Sequence, residues 1–569
     1  MKEYWYKLTP DAHIVHKLCT ALKCHPLTAS ILANRNISTP DDASRFLNIS
    51  LDHLRPPFAI KDLNTAVHRI IKAICHREKI LVFGDYDTDG ITATTMFLEF
   101  FRHTGSNATY YIPHRTREGY SLQADHISGM VASNGAKLII TVDCGSASHA
   151  AVATAKDRGI DVIVVDHHNI SSNLPPAVAV VNPKRPDCDS GFEDLSGAGV
   201  AFFLIIALRK QLRDIGFWKD MAEPNLRRFC DLVALGTVAD MVPLLNDNRI
   251  LTQVGLEEIR ISHRLGIQAL MKVSGISGGP VDAEDIAYKL APRLNSAGRM
   301  AHANIAVQLL TADDRAIADK IAYNINALNI MRQETENKML EQVLKDIQKN
   351  PNLMKKRSLV LSYPDWNEGV LGIVAAKLVK RFYRPVVLIS IKAGEGKGSA
   401  RSIPGFDLYQ GLTACSSELI TFGGHSMAAG LTLKDIQMDR FKETFEMTVQ
   451  KMTSPEDFSP KILVDYELSL DEISDELINE IQLLQPFGTG NPEPVFLTRH
   501  VRVSSSKVVG QNHRRMVLES STGRKAFKAI QFNINPQMPL KTHYDQVLFK
   551  LNWNYWNGDK TAQLTIEDM

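Results

Sequence analysis

The chain has no apolar run long enough to cross a bilayer. The longest, Ala198 to Leu208, falls well short of the roughly 20 residues a membrane helix needs. Residues Met1 to Pro10 lack the apolar stretch of an export signal. Cysteines are few: seven, odd in number and scattered, with no CxxC pair and no zinc-like spacing, which excludes a disulfide framework and a thiolate metal site. A reducing cytoplasm with free, mostly buried thiols is expected. Low-complexity tracts and blocks of like charge are absent, and 44% hydrophobic and 22% charged residues describe folded globular domains. Two catalytic signatures are also missing. There is no GxSxG elbow, and GEGKGS (394–399) is no Walker loop, because Ile391 stands at its first glycine and Gly398 where Ser or Thr must follow Lys397.

What is present is length and an uneven charge. A chain of 569 residues implies roughly two to four domains. The net charge is +2, yet Val495 to Lys560 holds eleven Lys or Arg against three acids, a local charge of +8 that leaves −6 for the remainder. A basic C-terminal module on an acidic remainder suits one end gripping a polyanion and the other holding cations.

From Lys79 to Val181, KILVFG (79–84), ATYYIP (108–113), LIITV (138–142) and VIVV (162–165) are short, continuous and β-branched, the mark of buried strands. They alternate with helical stretches such as Ile91 to His103, which implies a parallel sheet covered on both faces. Between Asp313 and Asn350 apolar residues recur at Ile317, Ile321, Ile325, Leu328, Met331, Met339, Val343 and Ile347, a long amphipathic helix suited to joining two domains. A second, smaller α/β region runs from Ser358 to Lys451, and MTSPEDFSP (452–460) has linker composition. Beyond it, β-rich runs between turns suggest a small barrel of the oligonucleotide-binding (OB) type. The expected organisation is an N-terminal segment (1–74), a parallel-sheet domain (75–245), a helical connector (246–350), a second α/β domain (351–455) and the barrel (461–569).

Three of the strands run into carboxylates. KILVFG leads into Asp85, Asp87 and Asp89, LIITV into Asp143, and VIVV into Asp166, His167 and His168, while Asp240 closes LVALGTVAD. Parallel strands end on one edge, where open α/β folds place their ligands. So many acids in one place need cations, and mixed carboxylate and imidazole ligation suits Mn²⁺ or Mg²⁺. Gly90 and Gly145 follow the first two clusters and leave room for ligands to approach.

Asp85 to Gly90, Asp143 to Gly145, Asp166 to His168 and LVALGTVADMVPL (232–244) resemble the four motifs of the DHH phosphoesterase superfamily. APRLNSAGRM (291–300), GSARSIPGFDL (398–408), FGGHSMAAG (422–430) and PFGTGNPEPVF (486–496) resemble the further signatures of its RecJ-type exonucleases. Thr88, Ala400 and Ser121 stand where alanine, glycine and glycine are usual, and Ala400 is expected to narrow the approach of a phosphate. The resemblance implies two cations held by Asp85, Asp87, Asp89, Asp143, His167 and Asp240, with His168 and Asp166 catalytic. It assigns Arg115, Arg299, Ser399, Arg401, Gly423, Gly424 and His425 to the substrate strand and its 5′ phosphate. Gly396 and Gly398 are expected to bring backbone N–H groups close to that phosphate.

The chemistry implied is in-line attack of water, activated by two cations about 3.5 to 4 Å apart, on the phosphodiester of single-stranded DNA. The family adds 5′-to-3′ polarity, mononucleotide products, a role in recombination and repair, and a single-strand-binding protein and a helicase as partners. A phosphodiesterase for short oligonucleotides or cyclic dinucleotides would share the ligands, and a catalytically silent DNA-binding scaffold would share the fold.

Overall fold

The computed structural model describes residues 4–131, 134–276, 279–510, 512–535, 540–556 and 559–569. It divides into two compact units, one built mainly from Ile112–Tyr120 and Ala291–Lys461, the other from Trp5–Tyr111, Ser121–Leu290 and Ile462–Met569.

The second of these holds the parallel sheet, formed by β1 (Ile80–Gly84), β2 (Ala108–Tyr111), β3 (Leu138–Val142), β4 (Asp161–Val165) and β5 (Ala179–Val181) in the order β2-β1-β3-β4-β5. Strands β1 and β3 are buried at every position, as sheets covered on both faces require. Gly84 pairs with Val142, and Val142 with Val165. The residues that follow, Asp85, Asp143 and Asp166, therefore stand side by side along one edge. Around them pack helix α1 (Thr88–Thr104), apolar helix α2 (Gly197–Asp214), α3 (Cys230–Ala239) and α4 (Asn246–Ile261).

The C-terminal barrel belongs to this unit as well. Its strands are β11 (Phe496–Val509), β12 (His513–Glu519), β13 (Ala526–Gln531), β14 (His543–Trp556) and β15 (Asp559–Asp568). They pair as β11-β12-β13-β15-β14 and close through β11 against β14. The barrel core is not self-sufficient: Leu18, Leu27, Ile31 and Leu32 of the N-terminal helices share one apolar cluster with Phe496, Leu518, Phe549 and Leu564. The N-terminal segment thus completes the C-terminal module.

In the first unit, β6 (Leu359–Pro364), β7 (Val386–Lys392), β8 (Glu395–Arg401), β9 (Thr421–Gly424) and β10 (Ala428–Lys434) form a mixed sheet in the order β9-β10-β8-β7-β6. The long helix is present as α5 (Arg315–Lys349), but its buried stripe differs from the expected one. Ile317 and Met331 are about half exposed, and Asn329, Arg332 and Glu336 are buried in their place. Glu336 accepts from Arg332 and from Lys377, which stands on α6 (Leu371–Phe382). Pairing offsets the cost of burying these charges, so a polar seam replaces the middle of the apolar stripe.

Candidate metal centre and a separate anion site

Each acid at the sheet edge is aimed by local geometry. Asp87 caps α1, its Oδ1 accepting from the amides of Asp89 and Gly90 at 3.1 and 3.3 Å, the usual duty of an N-cap aspartate. The carboxylate of Asp89 accepts from Gly197 N at 2.6 Å and Ala198 N at 2.9 Å, so the first amides of α2 hold it and the helix dipole favours its charge. Asp143 has φ +60°, a left-handed turn that aspartate tolerates and that swings its side chain out of the strand direction. Asp240 is the C-cap of α3 and shows no side-chain hydrogen bond among the described residues.

His167 is the meeting point. Its Nε2 lies 3.1 Å from Asp143 Oδ1, 3.5 Å from Asp240 Oδ2 and 3.7 Å from Asp89 Oδ2, and this buried nitrogen has no hydrogen-bond partner among the described residues. Burial and then the charge of His168 push its pKa down to about 3, so the ring is neutral and these approaches are not ion pairs. Lone pairs converge on one another instead. Burial, and then the neighbouring carboxylates, raise the acids: Asp89 to about 7, Asp240 to about 8 and Asp143 well above its usual range. A buried nitrogen without a donor, faced by three carboxylates, is an arrangement a divalent cation satisfies. Ligand atoms of Asp89, His167 and Asp240, of Asp143, His167 and His168, and of Asp85, Asp87 and Asp143 form three groups, each within 4.8 Å.

Asp166 does different work. Its Oδ1 accepts from the amides of His167 (2.8 Å) and His168 (3.2 Å) and meets His168 Nδ1 at 2.8 Å, while Oδ2 accepts from Ser146 N at 3.0 Å. Burial alone would raise its pKa, but these bonds and the His168 charge hold it far below the carboxylate range. Burial likewise opposes charge on His168, yet Asp166 outweighs it and lifts the ring to about 9. Both Asp166 oxygens are thus engaged, Oδ1 by the two histidines and Oδ2 by the Ser146 amide, an arrangement that positions the histidines.

Two glycines absent from the expected site shape it. A Cβ on Gly197 would lie 2.7 Å from the Asp143 Cβ, and one on Gly236 2.5 Å from Asp89 Oδ1. A signal existed in Ser196-Gly-Ala-Gly, a capping serine followed by small residues ahead of an apolar helix. Gly90 acts differently from the expectation, since its missing side chain lets α1 pack on the Asp85 backbone. Gly145, at φ +109°, would otherwise collide with Thr141. Ser121, at φ +69°, takes on its glycine-like turn and bonds the Gly145 amide at 3.1 Å.

Arg115, Arg299, Ser399, Arg401, Gly423, Gly424 and His425 all fall in the other unit. Arg401 donates to Ser399 Oγ at 3.2 Å and to the Ala400 carbonyl at 2.8 Å, and it forms no ion pair among the described residues. Burial and the nearby Arg115 lower its pKa. An anion between two guanidinium groups that feel each other's charge would relieve their repulsion. Gly372, in the first turn of α6, has room for nothing larger, because a Cβ there would come within 2.7 Å of Arg401 Nη2 and 2.9 Å of Ser399 Oγ. The helix N-terminus thus stands beside both side chains. Arg299 donates to the Gly369 carbonyl at 2.8 Å, in the loop just before α6. Gly424, at φ +142°, would clash with the Ala428 carbonyl, whereas Gly423 is open and His425 exposed.

Two expectations for this strand fail. Ala400 is fully buried in the sheet core, and a Cβ on Gly396 or Gly398 would meet Ile389, Leu431 or Leu433. Strand β8 is paired on both sides, so its amides are committed to the sheet. The polar side chains this strand presents beside the α6 N-terminus are those of Ser399 and Arg401.

On the barrel, several of the eleven basic residues are neutralised internally: Arg499 by Glu467, Arg502 by Glu519, and Lys550 by Glu493 and Glu567. Lys507, paired across the strands with Arg515, and Lys528, paired with Val517, are exposed and make no ion pair among the described residues.

Family models match three parts of the chain: the DHH family N-terminal domain (79–237), the DHHA1 domain (356–451) and the RecJ OB domain (464–568). The single-stranded-DNA-specific exonuclease RecJ of Bacillus subtilis is 36% identical over 573 residues, all of this chain and 71% of the relative. The crystal structure of Thermus thermophilus RecJ with Mn²⁺ superposes with a TM-score of 0.83 at 28% identity, covering 99% of this chain and 79% of the other. The corresponding Mg²⁺ complex gives 0.77 at 27%, covering 99% and 78%.

Proposed function

The chain belongs to the RecJ family of single-stranded-DNA-specific exonucleases, and on that premise we propose that it shortens single-stranded DNA from the 5′ end, releasing 5′-mononucleotides with Mn²⁺ or Mg²⁺ as cofactor. The observation that carries the reading is the unpartnered His167 Nε2 among Asp89, Asp143 and Asp240. Those four residues, with Asp85 and Asp87, would hold the ions. When bound, a pair of divalent cations supplies Lewis acidity, lowering the pKa of water and offsetting charge on the phosphate.

The chain's own groups do the rest. His168, about a third exposed and with Nδ1 fixed on Asp166, keeps a protonated Nε2 to donate to a phosphate oxygen. Arg401 and Ser399, beside the α6 N-terminus, with Arg115 and Arg299, anchor the terminal 5′ phosphate, which sets the polarity. The exposed cations of the barrel hold the strand through its backbone.

The OB module favours a long strand over a dinucleotide, and the intact ligand set favours catalysis over a silent scaffold. Recombination and repair in the cytoplasm, with a single-strand-binding protein and a helicase as partners, rest on family membership alone. Among the described residues no helix is long and apolar enough to cross a membrane.

The deciding assay uses oligonucleotides labelled at either end, single-stranded and duplex. Mononucleotides released first from the 5′ end of single strands are expected. Release from the 3′ end, or equal attack on duplex, would overturn the proposal.

A further inference from the structure

Asp240 is held differently from Asp87 and Asp89. Asp87 is tied to its helix cap and Asp89 to the α2 amides, whereas the Asp240 carboxylate accepts no hydrogen bond among the described residues. Its position is therefore that of its backbone. The chain turns at once after it, with Met241 at φ +60°, and the next residues lie against a loop more than 240 positions away.

That loop is Pro486 to Pro494, PFGTGNPEP, which leads into the first barrel strand. It is closed on itself: Gly488 and Asn491 exchange backbone hydrogen bonds at 2.9 and 3.1 Å. The fully buried Asn491 amide also donates to the carbonyls of Leu484 and Pro486 at 2.8 Å each. A loop so braced is a rigid template. Leu244 N donates to the Thr489 carbonyl at 2.8 Å. A Cβ on Gly488 would lie 2.7 Å from Leu244 Cδ1, and one on Gly490, at φ +74°, 3.1 Å from Pro243 Cβ. Glycine is needed because the loop backbone packs directly on the Pro243 and Leu244 side chains.

Two neighbours extend the contact. The buried Asn248 donates to the Pro243 carbonyl at 2.9 Å and to the Asp194 carbonyl at 2.7 Å. This links the turn after Asp240 to the segment just ahead of Gly197, whose amide holds Asp89. Arg249, also buried, donates to the carbonyls of Leu484 and Leu483 at 2.8 and 2.9 Å. Two adjacent residues of α4 thus grip the chain leading into the barrel's first loop, the turn after Asp240 and the segment whose amide holds Asp89.

We infer that the Gly488–Asn491 loop is a positioning element of the metal centre: docked on Pro243 and Leu244, it sets the Asp240 carboxylate and hence the affinity for the cation Asp240 serves. The inference rests on the proposed metal site. It gives the barrel a second task, independent of holding DNA.

The test is a Mn²⁺ titration of the full-length, DNA-free protein followed by electron paramagnetic resonance, with thermal melting in chelator as the control for folding. Gly488→Ala is expected to weaken Mn²⁺ binding about 10- to 100-fold, the usual cost of disturbing an outer-shell support, at an ion that Asp240→Ala also loses. Leu244→Ala, which removes volume instead of adding it, should weaken the same ion and keeps the test open if Gly488→Ala does not fold. The double variant should recover affinity relative to the sum of the two singles, since the new methyl then has room. Unchanged Mn²⁺ affinity in the single variants, with Asp240→Ala weakened, would reduce the loop to mere packing. Unchanged affinity in Asp240→Ala as well would overturn the metal assignment and this inference with it.

Discussion

Asp166 Oδ1 and His168 Nδ1 stand 2.8 Å apart, with the same oxygen accepting the amides of His167 and His168. A single carboxylate thus fixes both the orientation and the charge of the half-buried His168. Asp166→Asn keeps the shape and removes the charge. In the metal-free protein the His168 ring, raised to about 9, should titrate closer to the ordinary histidine range of about 6.5, as followed by NMR. Because His168 must then be protonated at lower pH, activity at alkaline pH should fall first, while Mn²⁺ affinity stays near that of the parent. An unchanged histidine titration would show that Asp166 does not set the charge.

Metal binding should release protons. Asp89 and Asp240, raised to about 7 and 8, are partly protonated near neutrality in the metal-free state, and ions bind the deprotonated forms. Affinity should therefore fall as pH drops from about 8 to 6. Calorimetry at neutral pH in buffers of different ionisation heat should reveal the release. Acids with raised native pKa values stabilise the metal-free fold below their unfolded pKa of about 3.9 and lose that contribution as pH rises through their native values. The melting temperature without metal should consequently decline between about pH 4 and 8, and added Mn²⁺ should restore it most at the upper end.

His167→Ala and Asp143→Ala should lose more than about 100-fold in turnover, beyond what an outer-shell change costs, while circular dichroism stays unchanged. Gly197→Ala should act in the same direction, because its methyl would push on the Asp143 Cβ from 2.7 Å. Near-parental turnover of His167→Ala with saturating Mn²⁺ would count against the site.

Arg401→Lys preserves charge but loses the planar fork, and Gly372→Ala places a methyl 2.7 Å from that fork. Both should narrow the advantage of 5′-phosphorylated over 5′-hydroxyl substrates without altering Mn²⁺ affinity. Equal losses on the two substrate ends would assign these residues to the fold.

Deleting the barrel from residue 461 is a poor test of its DNA role, since that would strip the core from Leu18, Leu27 and Ile31 and remove the loop beneath Leu244. Lys507→Gln, Arg515→Gln and Lys528→Gln leave the core intact. Each DNA phosphate that is no longer neutralised should reduce the slope of log affinity against log salt by about 0.7. Fluorescence anisotropy at several salt concentrations would measure it, and an unchanged slope in the triple variant would make these three solvated surface residues.

The sequence by itself determined the parallel sheet and which residues crowd its edge. Unbroken β-branched runs ending in Asp85, Asp143 and Asp166 carry that information locally, and parallel strands have their C-terminal ends on one side whatever the rest of the fold does. It also determined the barrel strands, through alternation and turns. Tertiary structure alone decided which face of a strand or helix meets the core. The motif suggests that Gly396, Gly398 and Ala400 line a phosphate's approach, yet they face the sheet interior, because a two-residue period leaves open which of its two faces is covered. On α5 the buried stripe runs through Asn329, Arg332 and Glu336, since the partner Lys377 comes from another helix. Gly197, Gly236 and Gly488 gain their meaning from atoms 54, 147 and 244 positions away, Asp143, Asp89 and Leu244. Such close approaches of a backbone to distant side chains leave no periodic trace, because what specifies them is the absence of a side chain at the glycine.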